Sequence, residues 1–492
     1  MVIIQGGMGV GISNWRLARA VSALGQLGVV SGTALDQVLA RRLQTGDPGG
    51  HMRRALDAFP LPDLAAAIRD RYYIPDGKAR REAFQTVPMP GATPSVEWQA
   101  LVMVANFVEV FLAREGHGHP VGINYLEKIQ TPHLPSIYGA MLAGVDYVLM
   151  GAGIPVKIPG VLDRFARHEP ATYPLAVSGA EEPVLLSFDP REFVGGARPP
   201  LTRPTFLAII ASDVLALSLT RRANGRVDGF IVEGPTAGGH NAPPRGALQL
   251  NERGEPLYGP RDVVNLEKLK ALGLPFWLAG GAGSADRLQA ALAAGAAGVQ
   301  VGTAFAMCAE SGLRDDLRHE LLARVRHGTA EVLTSAVASP TGFPFKVAAL
   351  AGTLSDASVL AARPRICDLG YLREAYRDDD GTVGFRCPSE PVNLYVSKGG
   401  DGADTTGRAC ICNALLATVG LPQMRAGGRL EEPPIVTMGD ELAGVGQFLR
   451  PGASEYSAAD VITTLLAGLS RPPRPFADED RFGTATIEAT RP

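Results

Sequence analysis

Three segments carry residue types and spacings suited to chemistry on a bound anion and a flat ring. The first is Ala279-Gly280-Gly281-Ala282-Gly283-Ser284, and the second is Gln300-Val301-Gly302-Thr303. A phosphate needs several converging backbone N–H groups, and glycine lets the backbone approach closely. Ser284 stands where an N-cap belongs and Asp286 falls in the first turn, so a helix N-terminus follows the first cluster and adds its dipole. The third is Glu233-Gly234-Pro235-Thr236-Ala237-Gly238-Gly239-His240-Asn241-Ala242-Pro243-Pro244-Arg245-Gly246. It presents His240 on glycine-rich main chain, and an ordinary imidazole pKa near 6.5 suits proton transfer at neutral pH. Glu233, at the strand end, either accepts hydrogen bonds from a ligand or sits unliganded in the barrel mouth, and Arg245 either offsets a substrate anion or is solvated.

A fourth glycine run, Gln5-Gly6-Gly7-Met8-Gly9-Val10-Gly11, lets main chain pass close to a flat ligand. It is not a dinucleotide fingerprint. Position 12 is isoleucine where the third glycine belongs, and Ser31 and Gly32 stand where the second strand should end in an acid.

The elements that must position these groups repeat. Short apolar runs are expected at Val2–Gln5, Leu27–Ser31, Val121–Asn124, Tyr147–Gly151, Phe206–Ala211, Gly229–Glu233, Phe276–Ala279 and Gly298–Gly302. Helical spacing lies between most of them, as at Leu17, Val21 and Leu24, with Ser13 the expected cap and Gly25 the stop. Eight alternating units predict a (β/α)8 TIM barrel. In such barrels the loops after strands seven and eight form the usual phosphate site. Two regions break the rhythm: a long helical insertion, 34–120, between strands 2 and 3, and a C-terminal extension with a proline-rich end from Arg471. The expected division is a barrel over 1–310 with the extension, mixed or helical, over 311–492. The uncharged stretch Leu292–Ala309 reads as helix end, turn and strand rather than a membrane span.

The opening QGGMGVGIS, the GIN of strand three, EGPTAGGHNAPPRG, LAGGAGS and GVQVGTAF together resemble the nitronate monooxygenase family, formerly 2-nitropropane dioxygenases, over roughly Ile3 to Ala306. That resemblance implies FMN as cofactor, a small-molecule nitronate or similar carbanion-like substrate, and O2. It implies backbone contacts to the ring from Gly7 and Met8, a flavin contact from Asn124, and Glu233 near the ribityl chain. It places Gly280, Gly281 and Gly283 on one side of the phosphate and Gly302 with Thr303 on the other. Gln300 approaches the pyrimidine edge or the ribityl chain, and His240 is the catalytic residue. FMN-dependent NAD(P)H enoyl-thioester reductases share the barrel and a similar AGGH segment, so they are the alternative.

Lysine plus arginine number 47 and aspartate plus glutamate 50, a near balance that gives no electrostatic argument for nucleic acid or an acidic membrane. The N-terminus lacks a signal-peptide pattern, and the few cysteines fit a reducing, cytoplasmic setting. A homo-oligomer is left open. Cys367, Cys387, Cys410 and Cys412 gather in the extension. Four thiolates there would suit zinc, but the spacing lacks paired C-x-x-C, and packed reduced thiols are the better expectation.

Overall fold

The computed structural model describes residues 1–195 and 198–469; the expected proline-rich end from Arg471 lies outside them. Eight short strands form one parallel sheet: β1 (Ile3–Gln5), β2 (Gly28–Ser31), β3 (Val121–Leu126), β4 (Tyr147–Gly151), β5 (Thr205–Ile210), β6 (Gly229–Glu233), β7 (Phe276–Ala279) and β8 (Gly298–Val301). Neighbours follow chain order from β2 to β8, and β8 pairs with β1. Ile4 bridges Leu27 in parallel, and the Gln5 amide donates to the Leu27 carbonyl, which joins β1 to β2 and closes the barrel.

Period-two alternation decides what each strand tip contributes. Ile4, Leu27, Val29, Leu149, Leu207, Ile231, Trp277 and Ala279 fill the barrel interior as a separate core. Their neighbours, such as Ile3, Val30, Ile123, Phe206 and Phe230, face outward into a larger core beneath the helices. Both faces are therefore buried, as a parallel sheet requires. One step toward the C-terminal ends, the inward positions become Ser31, Asn124, Glu233 and Gln300, so the polar layer lies on top of the apolar one.

The cap of the first helix differs from expectation. Asn14, not Ser13, caps Trp15–Ala23 by accepting from the Leu17 amide. The Ser13 hydroxyl is already engaged, accepting from the Met8 amide at 2.9 Å and donating to the Gly6 carbonyl at 2.9 Å, which fixes the glycine-rich turn after β1. Gly25 does stop that helix, at φ +77°. Ser284 caps Ala285–Ala293 as expected.

The insertion is helical, with Leu35–Gln44, His51–Asp57, Pro62–Tyr72 and Val96–Arg114. Val96–Arg114 is the one helix among the described residues long and apolar enough to cross a membrane, yet most of it is buried inside the protein. Leu292–Ala309 is helix end, turn, β8 and a short helix.

The extension does not stand apart. Its last described helix, Ala458–Leu466, packs against Trp15–Ala23 and Ala285–Ala293, the helices that follow β1 and β7. That is the slot of the eighth outer helix, so the ring is completed from beyond residue 310. Residues 307–457 form an excursion between β8 and that helix. The excursion folds back over the C-terminal end of the barrel and meets the insertion there: Arg41 donates to the Leu421 carbonyl, and Gln423 exchanges two hydrogen bonds with Phe84 main chain.

Candidate functional site

The inward tips of the strands floor a cavity of about 190 Å³ at the mouth of the barrel. Gly7, Met8, Asn124, Glu233, Gly280, Gln300, Gly302, Thr303 and His240 all line it. Gly281 and Gly283 do not. They line an adjoining recess, and the wall between recess and cavity is Glu441. The Gly283 amide donates to Glu441 Oε2 at 3.1 Å, so the chain's own carboxylate takes the amide nearest the helix N-terminus.

Gly280 and Gly281 are both left-handed, at φ +86° and +66°, which curls the chain into a nest of amides at low cost only for glycine. A Cβ on Gly280 would stand 2.9 Å from Thr236 Oγ1 and 3.1 Å from the Ala237 amide nitrogen. Among the described residues, the amides of Gly280, Gly281, Gly302 and Thr303 find no acceptor within the protein. Gln300 Oε1 is buried and likewise unpartnered. Buried polar groups are normally paired, so these vacant donors and acceptor mark a surface made for a polar ligand. Ala34 and Ala152, which also line the cavity, sit at positive φ without being glycine; such strain clusters at ligand sites.

His240 is held by the extension. The Lys346 amide donates to the Gly239 carbonyl, the Asn241 amide to the Pro344 carbonyl, and the Gly239 amide to Thr437 Oγ1. The His240 ring lies 4.8 Å from that of Phe345, and its Nε2 is 2.7 Å from Ser339 Oγ. Ser339 Oγ already accepts from the Thr341 amide and pairs with Thr341 Oγ1. When Ser339 donates to Nε2, the neutral ring carries its proton on Nδ1; in the other tautomer Nε2–H donates to Ser339 Oγ. The imidazole does not keep its ordinary pKa: burial, followed by the nearby charge of Lys128, pushes it down to about 3. Glu233 moves the other way, raised by burial to about 7.

These two shifts oppose each other in stability. A raised carboxyl pKa means the folded state holds a proton that the unfolded chain has lost, so stability falls as pH rises from 4.5 to 7. A depressed imidazole pKa means the unfolded chain takes up a proton that the fold refuses, so stability falls as pH drops from 6.5 toward 3. Glu233→Gln should therefore stabilise the protein at pH 8 relative to wild type, by up to about 3 kcal/mol, and much less at pH 4.5. Urea unfolding at the two pH values checks this; an equal difference at both would show that Glu233 titrates normally.

Sequence reasoning missed the roof. Tyr371, Leu372, Ile411, Cys412, Leu415, Val436, Thr437, Met438 and Glu441 line the cavity from the excursion. No spacing rule connects these positions to strand tips so much earlier in the chain. The four cysteines of the extension are free thiols, with Cys387 and Cys410 buried, and the neighbouring Cys387 together with burial pushes the Cys367 thiol up. Among the described residues no group of three or more His, Cys, Asp or Glu is arranged to hold a metal.

Comparison with known proteins agrees with this geometry. Residues 203–339 match the family model of nitronate monooxygenase. A nitronate monooxygenase of Pseudomonas aeruginosa is 32% identical over 200 residues, which are 39% of this chain and 52% of that protein. A (3aS,4S,5R,7aS)-5-hydroxy-7a-methyl-1-oxo-octahydro-1H-indene-4-carboxyl-CoA dehydrogenase of Rhodococcus jostii is 35% identical over 118 residues, 24% of this chain and 29% of that protein. The chain thus spans about half the length of the first relative and less of the second. Among solved structures, nitroalkane oxidase from Streptomyces ansochromogenes aligns over 95% of both chains at 14% identity and a TM-score of 0.47. The segment that carries Glu233, His240 and both glycine clusters is thus the part of the chain that is similar to the nitronate monooxygenase family.

Proposed function

We propose that the protein is an FMN-dependent oxidoreductase that oxidises alkyl nitronates or related carbanion-like substrates with O2. The observation that carries this reading is the cavity floor: vacant amides of Gly280, Gly302 and Thr303 at one end, and the polar tips Asn124 and Gln300 beside the Gly7–Met8 turn. The residues fit the cofactor. The amides suit its phosphate, the unpartnered Gln300 Oε1 suits an N–H of the ring edge or a ribityl hydroxyl, and the tight Gly6–Met8 turn offers main chain to the ring. When bound, FMN supplies the redox chemistry, and the protein supplies position and electrostatics.

The chain's own part follows from its charge states. His240, neutral and with Nε2 accepting from Ser339, offers Nδ1–H to an anionic oxygen of the substrate. The apolar roof of Ile411, Leu415, Val436 and Met438 excludes water from the reacting carbon. His240→Ala should keep FMN yet lower kcat about 10²–10³-fold, the usual loss when one hydrogen-bond donor to a charged oxygen is removed. Steady-state kinetics on the yellow variant check this, and near-wild-type turnover would reduce His240 to a wall of the pocket.

The same apolar roof favours a second reading, a reductase of enoyl thioesters, because it suits an acyl chain better than a short nitronate. The Rhodococcus relative, named for a CoA-thioester substrate, leans the same way. Anaerobic titration separates the two. Bleaching of the bound flavin by propyl nitronate and not by NADPH supports the first; the reverse supports the second.

A further inference from the structure

The cavity at the barrel mouth has a neighbour. A second pocket, of about 210 Å³, lies between the segments that follow β5 and β6 and is lined by Ser212, Pro243, Arg245, Tyr258 and Asp262. Glu233 lines both. It is the last residue of β6, and its alternation with Ile231 turns the side chain inward.

Among the described residues its carboxyl forms no hydrogen bond and no ion pair. The flanking strand ends, Ala211–Ser212 after β5 and Ala279–Gly280 at β7, bring no charge to it. The titratable groups that share its spaces are His240, Tyr371, Cys412 and Glu441 on the cavity side, and Arg245, Tyr258 and Asp262 on the other. Asp262 is engaged by the amides of Arg245 and Gly259. Glu441 is engaged by that of Gly283. A structural carboxylate would be tied in the same way, and this one is left free between two compartments.

We propose, resting on the oxidoreductase reading above, that Glu233 relays protons between the side pocket and the reaction cavity, while His240 serves as a neutral hydrogen-bond donor. Over one cycle the carboxylate takes one proton from water on one side and releases one to the other side, so it ends as it began and no electrons move. The chemistry agrees with the environment. A relay works best with a pKa near the working pH, and burial raises this carboxyl to about 7, whereas His240 at about 3 holds no second proton to give.

The test uses the full chain. In the flavin-free protein, infrared difference spectra between pH 6 and 8 should contain a protonated-carboxyl stretch that titrates near 7 and is missing from Glu233→Gln. In the flavin-loaded protein, Glu233→Ala should lose about 10²–10⁴-fold in turnover. Acetate or formate should restore it in proportion to the concentration of the acid. A bulky side chain at the exposed mouth of the side pocket, in Glu233→Ala/Ala242→Trp, should abolish that rescue. The proposal is overturned by a carboxyl band unchanged in Glu233→Gln, by absence of rescue in Glu233→Ala, or by rescue that persists in the double variant with its side pocket plugged. A wild-type chain that binds no flavin would end the oxidoreductase reading, and the infrared titration would still decide whether Glu233 exchanges its proton there.

Discussion

Ending the chain after Arg363 is expected to yield protein without a cooperative melt and without flavin affinity. The truncation removes Ala458–Leu466, whose buried Val461, Ile462 and Leu465 fill the ring between the helices that follow β1 and β7. Burying three such side chains contributes roughly 5–9 kcal/mol at about 1.5–3 kcal/mol each. That is comparable with the entire stability of an ordinary domain, about 5–15 kcal/mol. The same cut deletes Thr437 and Gly439, which hold the His240 loop and Thr303 by hydrogen bonds. It also unroofs the cavity by taking away Ile411, Leu415 and Met438. Circular dichroism melts and a flavin titration read both effects. A truncated chain that melts sharply and turns yellow at wild-type flavin concentrations would show the extension to be a separate module.

Gly281→Asp is expected to abolish FMN binding, while Gly281→Asn weakens it by no more than about tenfold. Both side chains tolerate the left-handed backbone of this position better than other residues, and the nearest atom to a new Cβ is Thr236 Oγ1 at 3.4 Å. The pair therefore differs in charge and little else. A carboxylate about 5 Å from a phosphate charge costs roughly 3 kcal/mol at an effective dielectric of about 20. That corresponds to a loss on the order of a hundredfold or more. Glu441 already places one carboxylate against the Gly283 amide, where burial raises its pKa, so a second negative group has little room for compensation. Fluorescence titration of the flavin-free variants with FMN checks the comparison. Equal affinities for Asp and Asn would mean that the phosphate lies elsewhere.

The barrel was legible in the sequence because its signal is local. Each strand is a short apolar run ended by glycine or a polar residue, and the observed strands fall within one or two residues of those runs. The floor of the site was legible for the same reason, since alternation places Asn124, Glu233 and Gln300 on the inward side one step above the apolar layer. Three things were not. The cap at Asn14 was hidden because Ser13, the better-looking candidate, hydrogen-bonds backward to Gly6 and Met8. The pKa of His240 is set by its burial and then by the charge of Lys128, which reach it through the tertiary fold and not through neighbouring sequence. The roof and the eighth outer helix come from residues whose composition resembles any globular segment, and only their contacts reveal where they belong.

That late-arriving helix has a kinetic side. A polypeptide emerging from the ribosome presents its eight strands within the first 301 residues, yet the final stave of the cylinder arrives some 150 residues later. During that interval a greasy gap faces solvent between the first and seventh staves, and nothing local can cover it. Closure is therefore an event of high contact order, slower than for a barrel wound strictly in sequence. Nascent chains stalled before residue 458 are the species on which a holdase would act.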